Sequence, residues 1–239
     1  MEAILSAFSA PGIDWQKVKV FDQKDFSTVD LQIIALGKTN YLQAREIQND
    51  LVIKRKNGLI KDTLLLTEHP PTLTLGKRLK NTEQDFSLWT KYGVQVVQTD
   101  RGGELTFHAP GQLILYPVIS LSERKLGVSN FVEHFFAILR AGLFEFGISA
   151  QCKLDPAGLW LVDSKIASVG LRIEKSVTNH GFSLNLSCSL EPFSLFPVCG
   201  EENAKLTSVL EQTGDAKMLV SFINYTSSLF LKFEQESYR

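Results

Sequence analysis

GLWLVDSKIASVGLRI, residues 158–173, decides how the rest of the chain is read. Two aliphatic and β-branched runs flank Asp163-Ser164, a pair of turn formers, so the stretch reads as a hairpin. HGFSLNL (180–186) adds a further strand soon after. Strands this close in sequence can only pair antiparallel, because a parallel pair needs a crossover of a dozen residues or more.

Working outward, LQIIAL (31–36) reads as a strand and the polar run from Tyr41 to about Arg55 as a helix. TLLLTEHPPTLTLG (63–76) gives two strands around a proline turn, and GVQVVQT (93–99) and GQLILYPVIS (111–120) are further strands. Asn130 followed by Glu133 predicts a capping-box helix start, after which Val132, Phe135, Phe136, Leu139, Leu143 and Phe146 share one face up to Gly147. Residues 216–234 predict a closing amphipathic helix. Strands outnumber helices and do not alternate with them. The expected class is therefore α+β, a central mixed, largely antiparallel sheet flanked by helices. With no repeat and no linker, the expected organisation is a short N-terminal extension over 1–30 and one domain over 31–239.

The 239 residues are 44% hydrophobic and 21% charged with net charge −1, enough apolar matter for a sizeable core. Such a balance offers no footprint for nucleic acid, and IKRKNG (53–58) reads as a solvated helix end. FVEHFFAILRAGLFEFG (131–147) carries Glu133, His134, Arg140 and Glu145, which is wrong for a membrane span. The first fifteen residues lack a basic leader pattern, so a cytoplasmic address is expected. Three cysteines, Cys152, Cys188 and Cys199, at irregular spacing point to a reducing compartment rather than a disulfide framework, and none has zinc-ligand spacing. No metal or cofactor is expected.

Three segments carry chemistry. In RGGELTFHAPGQ (101–112), Gly102 and Gly103 either make a tight turn or let backbone approach a ligand, while Arg101 and His108 could present charge or a hydrogen bond at a rim. Lys165 opens a strand. Such a lysine is either solvated or, in an apolar pocket, desolvated into a usable proton carrier. Cys199, in FPVCGEEN (196–203), is either a small buried hydrophobe or a nucleophile, and a nucleophilic thiol needs a neighbouring cation or base.

Five blocks in order, LLLTEHPPTLTLGKR (64–78), RGGELTFHAPGQLILYPVISL (101–121), GLWLVDSKIASVGLRI (158–173), NHGFSLNL (179–186) and FPVCG (196–200), together resemble the octanoyl-[acyl-carrier-protein]:protein octanoyltransferases. The 34-residue separation of Lys165 and Cys199 is that of the family. The resemblance implies the fold of the biotin and lipoate protein ligase catalytic domain. It implies transfer of an octanoyl group from octanoyl-acyl carrier protein to a lysine of lipoyl domains, in 2-oxoacid dehydrogenases and the glycine cleavage H protein, through a thioester on Cys199. Lys165 would lower the Cys199 pKa and then shuttle the proton, and no nucleotide would be needed because the donor is already a thioester. Arg101, Gly102, Gly103 and Glu104, then Leu105, Thr106, Phe107 and His108, would line the acyl tunnel. Ser168, Val169 and Gly170 would join them from one strand, and His180, Gly181, Phe182 and Ser183 from another. An ATP-dependent lipoate or biotin ligase of the same fold would place a lysine similarly but needs no cysteine; a catalytically inactive binding homologue would need neither. Two departures stand out: Ala109 replaces the first glycine of the family's His-Gly-Pro-Gly-Gln, and Val198 stands between Pro197 and Cys199.

Overall fold

The structure, a computed structural model, describes residues 2–8, 10, 12–19, 31–79, 85–195 and 205–236. After α1 (Glu2–Ser6) and a 3-10 turn at Trp15–Lys17, the chain enters β1 (Leu31–Lys38), α2 (Tyr41–Lys56) and β2 (Asp62–Glu68). β1 and β2 are parallel, as the intervening helix demands. Asn40 caps α2, its side-chain oxygen accepting from the Leu42 N–H at 2.9 Å. Next come β3 (Thr72–Leu75), α3 (Ser87–Lys91), β4 (Gln95–Gln98), β5 (Leu105–His108), β6 (Gln112–Val118) and α4 (Val128–Glu145). The chain closes with β7 (Gln151–Leu154), β8 (Ala157–Leu161), β9 (Ser164–Glu174), β10 (Val177–Asn185), β11 (Lys205–Leu206), α5 (Val209–Thr213) and α6 (Met218–Glu236).

Two sheets result. The larger has the order β1-β2-β6-β10-β9-β8-β7, antiparallel except for β1 on β2, with β11 added parallel to β9. The smaller has the order β4-β3-β5. The proline turn therefore passes the chain from one sheet to the other rather than pairing its flanking strands. β2 and β6 are buried along their whole length because both faces are covered. Leu64, Leu66, Leu113 and Leu115 face the core beneath α4 and α6, while Leu65, Ile114 and Tyr116 face α2. The Phe135 ring stacks on Phe182 of β10 at 3.9 Å between centroids. The N-terminal residues join both cores, Ile13 and Val18 the large one and Ile4 and Ala7 the small one.

Several local expectations are corrected. α4 begins after Gly127 with no side-chain cap; the Asn130 carbonyl accepts from His134 inside the helix. The β8–β9 turn is Val162-Asp163, because Leu161 pairs with Ser164. A two-residue loop that follows strand twist needs positive φ at its first position, and Val162 takes φ +53°. Its β-branched side chain hides that turn from sequence reading. Arg55 is not a solvated helix end: it is buried, with Nε 2.6 Å from Asp62 and Nη2 2.5 Å from Glu123, while Arg124 Nε meets Asp62 at 2.5 Å.

Candidate active site

β9 pairs with β10 in unbroken register, Ala167 opposite Leu184 and Ser168 opposite Ser183. Ala167, Val169, Leu171 and Ile173 accordingly pack toward the large core, and Ser168 and Gly170 turn to the other face. Strict alternation would put Lys165 in the core and Ile166 outside it. The register to β8 slips between Leu159/Ala167 and Trp160/Lys165, leaving Ile166 as an extra residue. Ile166 and Ala167 therefore both enter the core, and this β-bulge re-aims Lys165 onto the face of Ser168. Lys165 is 1% exposed and lines a cavity of about 590 Å³, within the size range of small-molecule sites. Its Nζ lies 5.3 Å from the centre of the Trp160 ring.

The cavity lies between this face of the sheet and the loop and strand 101–108. It is lined by Arg101, Gly103, Glu104, Leu105, Thr106 and His108, by Ser168, Val169 and Gly170, and by His180, Gly181, Phe182 and Ser183. Two residues expected there are elsewhere. Phe107 is fully buried in the small core, 5.5 Å from both Trp89 and Phe193 between ring centroids. Gly102 touches β9 through its N–H, which donates to Leu171 O at 3.1 Å. Gly103 takes φ +88°, so the glycine pair makes a tight turn, and of the two Gly103 lines the cavity.

Arg101 does not stand at a rim. It is buried, and its guanidinium donates to Thr74 O at 2.7 Å, to Thr74 Oγ1, and to Gly102 O and Glu104 O at 2.9 Å each. Its fixed fork thus ties the loop to β3. His108 is buried too: its Nδ1–H donates to Gln112 Oε1 at 2.8 Å, Gln112 reaches Asn185 at 2.9 Å, and the imidazole stacks on Tyr41. Ala109 is absent from the positive-φ residues and packs in the small core, so the missing glycine imposes no strain on this turn.

Tyr41, Tyr116 and His69 form a cluster that the sequence reading missed. Thr39 O can only accept, so His69 Nδ1 carries the proton in their 2.7 Å bond, and Nε2 accepts from the Tyr116 hydroxyl at 2.8 Å. Burial holds His69 neutral, its pKa pushed down to about 4. Burial, with His69 nearby, takes His108 down to about 3, and burial raises both tyrosines. These two histidines and two tyrosines are therefore polar but uncharged at neutral pH, beside the charged guanidinium of Arg101. At its edge Asp100 accepts from His180 Nε2 at 2.7 Å and pairs with Arg45 and Arg172, while His180 adopts φ +59° and burial lowers its pKa to about 3. Lys77 and Arg78, exposed on the loop after β3, also line the opening, as does the β7–β8 turn at Asp155-Pro156.

Cys199 lies outside the described residues. The chain returns at β11, whose Lys205 and Leu206 pair with Ser164 and Lys165, and Thr207 N–H donates to Lys165 O at 3.0 Å. Cys188 is buried, its thiol pushed up to about 12, and Cys152 is half-buried on the outer strand β7 with its thiol also raised by burial. Among the described residues no group of His, Cys, Asp and Glu could hold a metal ion, and no helix is long and apolar enough to cross a membrane.

Residues 40–225 match the model of the lipoyl protein ligase A/B catalytic domain. The chain is 38% identical to an octanoyltransferase of Alkaliphilus metalliredigens, over 77% of this chain and 86% of that one. It is equally 38% identical to the mitochondrial octanoyltransferase LIP2 of Arabidopsis thaliana, over 77% and 79%. Among solved structures, lipoate-protein ligase A bound with ATP aligns at TM-score 0.65 and 14% identity, covering 85% of this chain and 94% of the ligase. P. falciparum LipL1 in complex with lipoate aligns at 0.69 and 16%, covering 86% of this chain and 63% of that longer one. The ligases share the fold; the sequence identity lies with the transferases. The chain therefore belongs to the lipoyl protein ligase A/B catalytic domain family, as a member of its octanoyltransferases.

Proposed function

We propose that this acyltransferase of lipoate biosynthesis takes its octanoyl group from octanoyl-acyl carrier protein, holds it as a thioester on Cys199, and delivers it to a lysine of lipoyl-domain proteins in the cytoplasm. The observation that carries the reading is Lys165. A bulge turns it out of the core into a cavity of about 590 Å³, directly beside the strand on which the chain returns six residues after Cys199. Six residues span at most about 20 Å.

In the resting pair Lys165 is the ammonium and Cys199 the thiolate. The thiolate attacks the carrier thioester; the C–S bond to the carrier breaks, and the leaving thiolate takes a proton from Lys165. Lys165, now a neutral amine, accepts a proton from the attacking lysine of the lipoyl domain as the new C–N bond forms. Cys199 leaves as thiolate, which restores the starting pair. One proton moves out and one moves back, so no cofactor is needed. Exchange of one thioester for another is close to thermoneutral, and amide formation then runs downhill without ATP. Ser168 and Ser183 leave room on the cavity face for the acyl chain, with Ile114, Leu79 and Leu154 as its apolar contacts.

The test is intact-mass analysis after incubation with octanoyl-carrier protein, with no nucleotide added. One hydroxylamine-labile octanoyl group should appear, be absent from Cys199→Ala, and move to an apo lipoyl domain. Lys165→Ala, Cys199→Ala and the double variant should lose similar activity, since the two groups act as a unit. Robust transfer of free octanoate that requires ATP would instead make the chain a ligase.

A further inference from the structure

Lys165 does not hold its position alone. Its direct cross-strand partner at the bulge is Trp160 of β8, and two residues earlier on the same face stands Gly158, opposite Ser168. A Cβ on Gly158 would lie 2.4 Å from Lys165 Cε and 3.2 Å from Nζ. The lysine stem is thus laid across β8 in the space that a side chain would fill, and its ammonium comes to 5.3 Å from the Trp160 ring centre. Trp160 is itself fixed. It is 2% exposed, and its Nε1–H donates to Pro156 O at 3.3 Å, in the turn that lines the cavity opening. The exposed Lys153 also lies over this ring, at 4.6 Å.

We infer that Trp160 is a positioning residue for the reaction, holding the Lys165 ammonium by its π face so that the charge and the proton stay at one place in the cavity. The inference rests on the reading of Lys165 as the proton carrier. A ring quadrupole attracts an ammonium, and attracts it more in a site where water is excluded; it does not attract a neutral amine in this way. Trp160 therefore holds in place the Lys165 ammonium that stabilises a neighbouring thiolate and supplies the proton to the leaving carrier thiolate. A tryptophan that merely filled space would serve as well if replaced by an apolar side chain of similar reach. An ammonium clamp would not.

The experiment compares Trp160→Phe, which keeps a π face and discards the indole N–H, with Trp160→Leu, which keeps apolar bulk alone. Each is made singly and in the Lys165→Ala background, and kcat, KM for octanoyl-carrier protein and the thermal midpoint are measured. Trp160→Leu is expected to lower kcat about ten- to thirtyfold with KM within about twofold, Trp160→Phe to recover most of that loss, and neither to add to the loss from Lys165→Ala. Should Trp160→Leu not fold, Trp160→Met takes its place. The inference is overturned if Phe and Leu variants are equally active while Lys165→Ala is not, or if Trp160→Leu lowers kcat by the same factor with and without Lys165. Full activity of Lys165→Ala would remove the reading of Lys165 itself, and this inference with it.

Discussion

Gly158→Ala adds one methyl group at the point where the structure has least room for it. The new Cβ would lie 2.4 Å from Lys165 Cε and 2.6 Å from the carbonyl oxygen of Ala167. Carbon pairs rest at about 3.5–4.0 Å, so the lysine stem has to retreat by about 1 Å or more. The backbone oxygen cannot swing away as a side chain can. Overpacking of this kind costs about 1–3 kcal/mol, and for a chain of this size each kcal/mol lowers the midpoint of thermal unfolding by about 2–4 °C. A displacement of about 1 Å at a reacting group can cost about a hundredfold in rate. The variant should therefore stay folded at 25 °C, melt several degrees early, and lose about two orders of magnitude in kcat for octanoyl transfer. Steady-state assay beside a melting curve reads both. A Gly158→Ala enzyme with kcat within threefold of the parent and an unchanged midpoint would refute the placement of Lys165 across β8.

Two further expectations concern titration. His69, His108 and His180 have folded pKa values lowered to about 4, 3 and 3, against about 6.5 in an unfolded chain. The unfolded state thus binds more protons below pH 6.5, so the stability these residues contribute is fully present above that pH and is lost as pH falls through about 4 for His69 and about 3 for His108 and His180, each at up to about 1.4 kcal/mol per pH unit; denaturant midpoints that stay flat from pH 7 to about 4.5 would contradict their burial as neutral rings. Burial raises the thiols of Cys188 and Cys152, so Cys188→Ala and Cys152→Ser should each keep most of the turnover, and alkylation at pH 7 should label one fast thiol per chain that is lost in Cys199→Ala.

What the sequence made legible was whatever depends on period and turn chemistry. The Phe135 and Leu139 face of α4, the hairpin over 158–173 and the apolar runs of β2 and β6 follow from local pattern, and the structure agrees. The division into two sheets was not legible, because β2 and β3 look alike in sequence and differ only in which distant strand each one meets. Arg101, just before a glycine turn, reads in sequence as a charge at a rim; the carbonyls of Thr74 and Glu104 that absorb its donors come from two different segments. Tyr41 and Tyr116 were missed for a related reason. One follows a helix cap and the other sits in a strand buried on both faces, so each has a sufficient structural explanation by itself, and only the shared neighbour His69 brings Tyr116 into a polar cluster.

Lys165 shows where pattern misleads and function begins. Alternation along KIASVGLRI assigns it to the same face as Ala167 and Val169, into a core of Phe, Leu and Ile side chains where an ammonium would cost several kcal/mol. The chain escapes that cost by inserting Ile166, an aliphatic residue suited to the core, at the slip in register. The same slip places the Lys165 backbone between Trp160 on one side and Leu206 on the other, so the strand that carries the lysine is held to the strand that resumes the chain after Cys199. Closing the bulge with Ile166 kept would restore simple alternation, turn Ile166 out and send the lysine toward the core. Under the proposed mechanism, in which Lys165 carries the proton, this bulge is what lets the lysine share a face with Ser168 and Gly170.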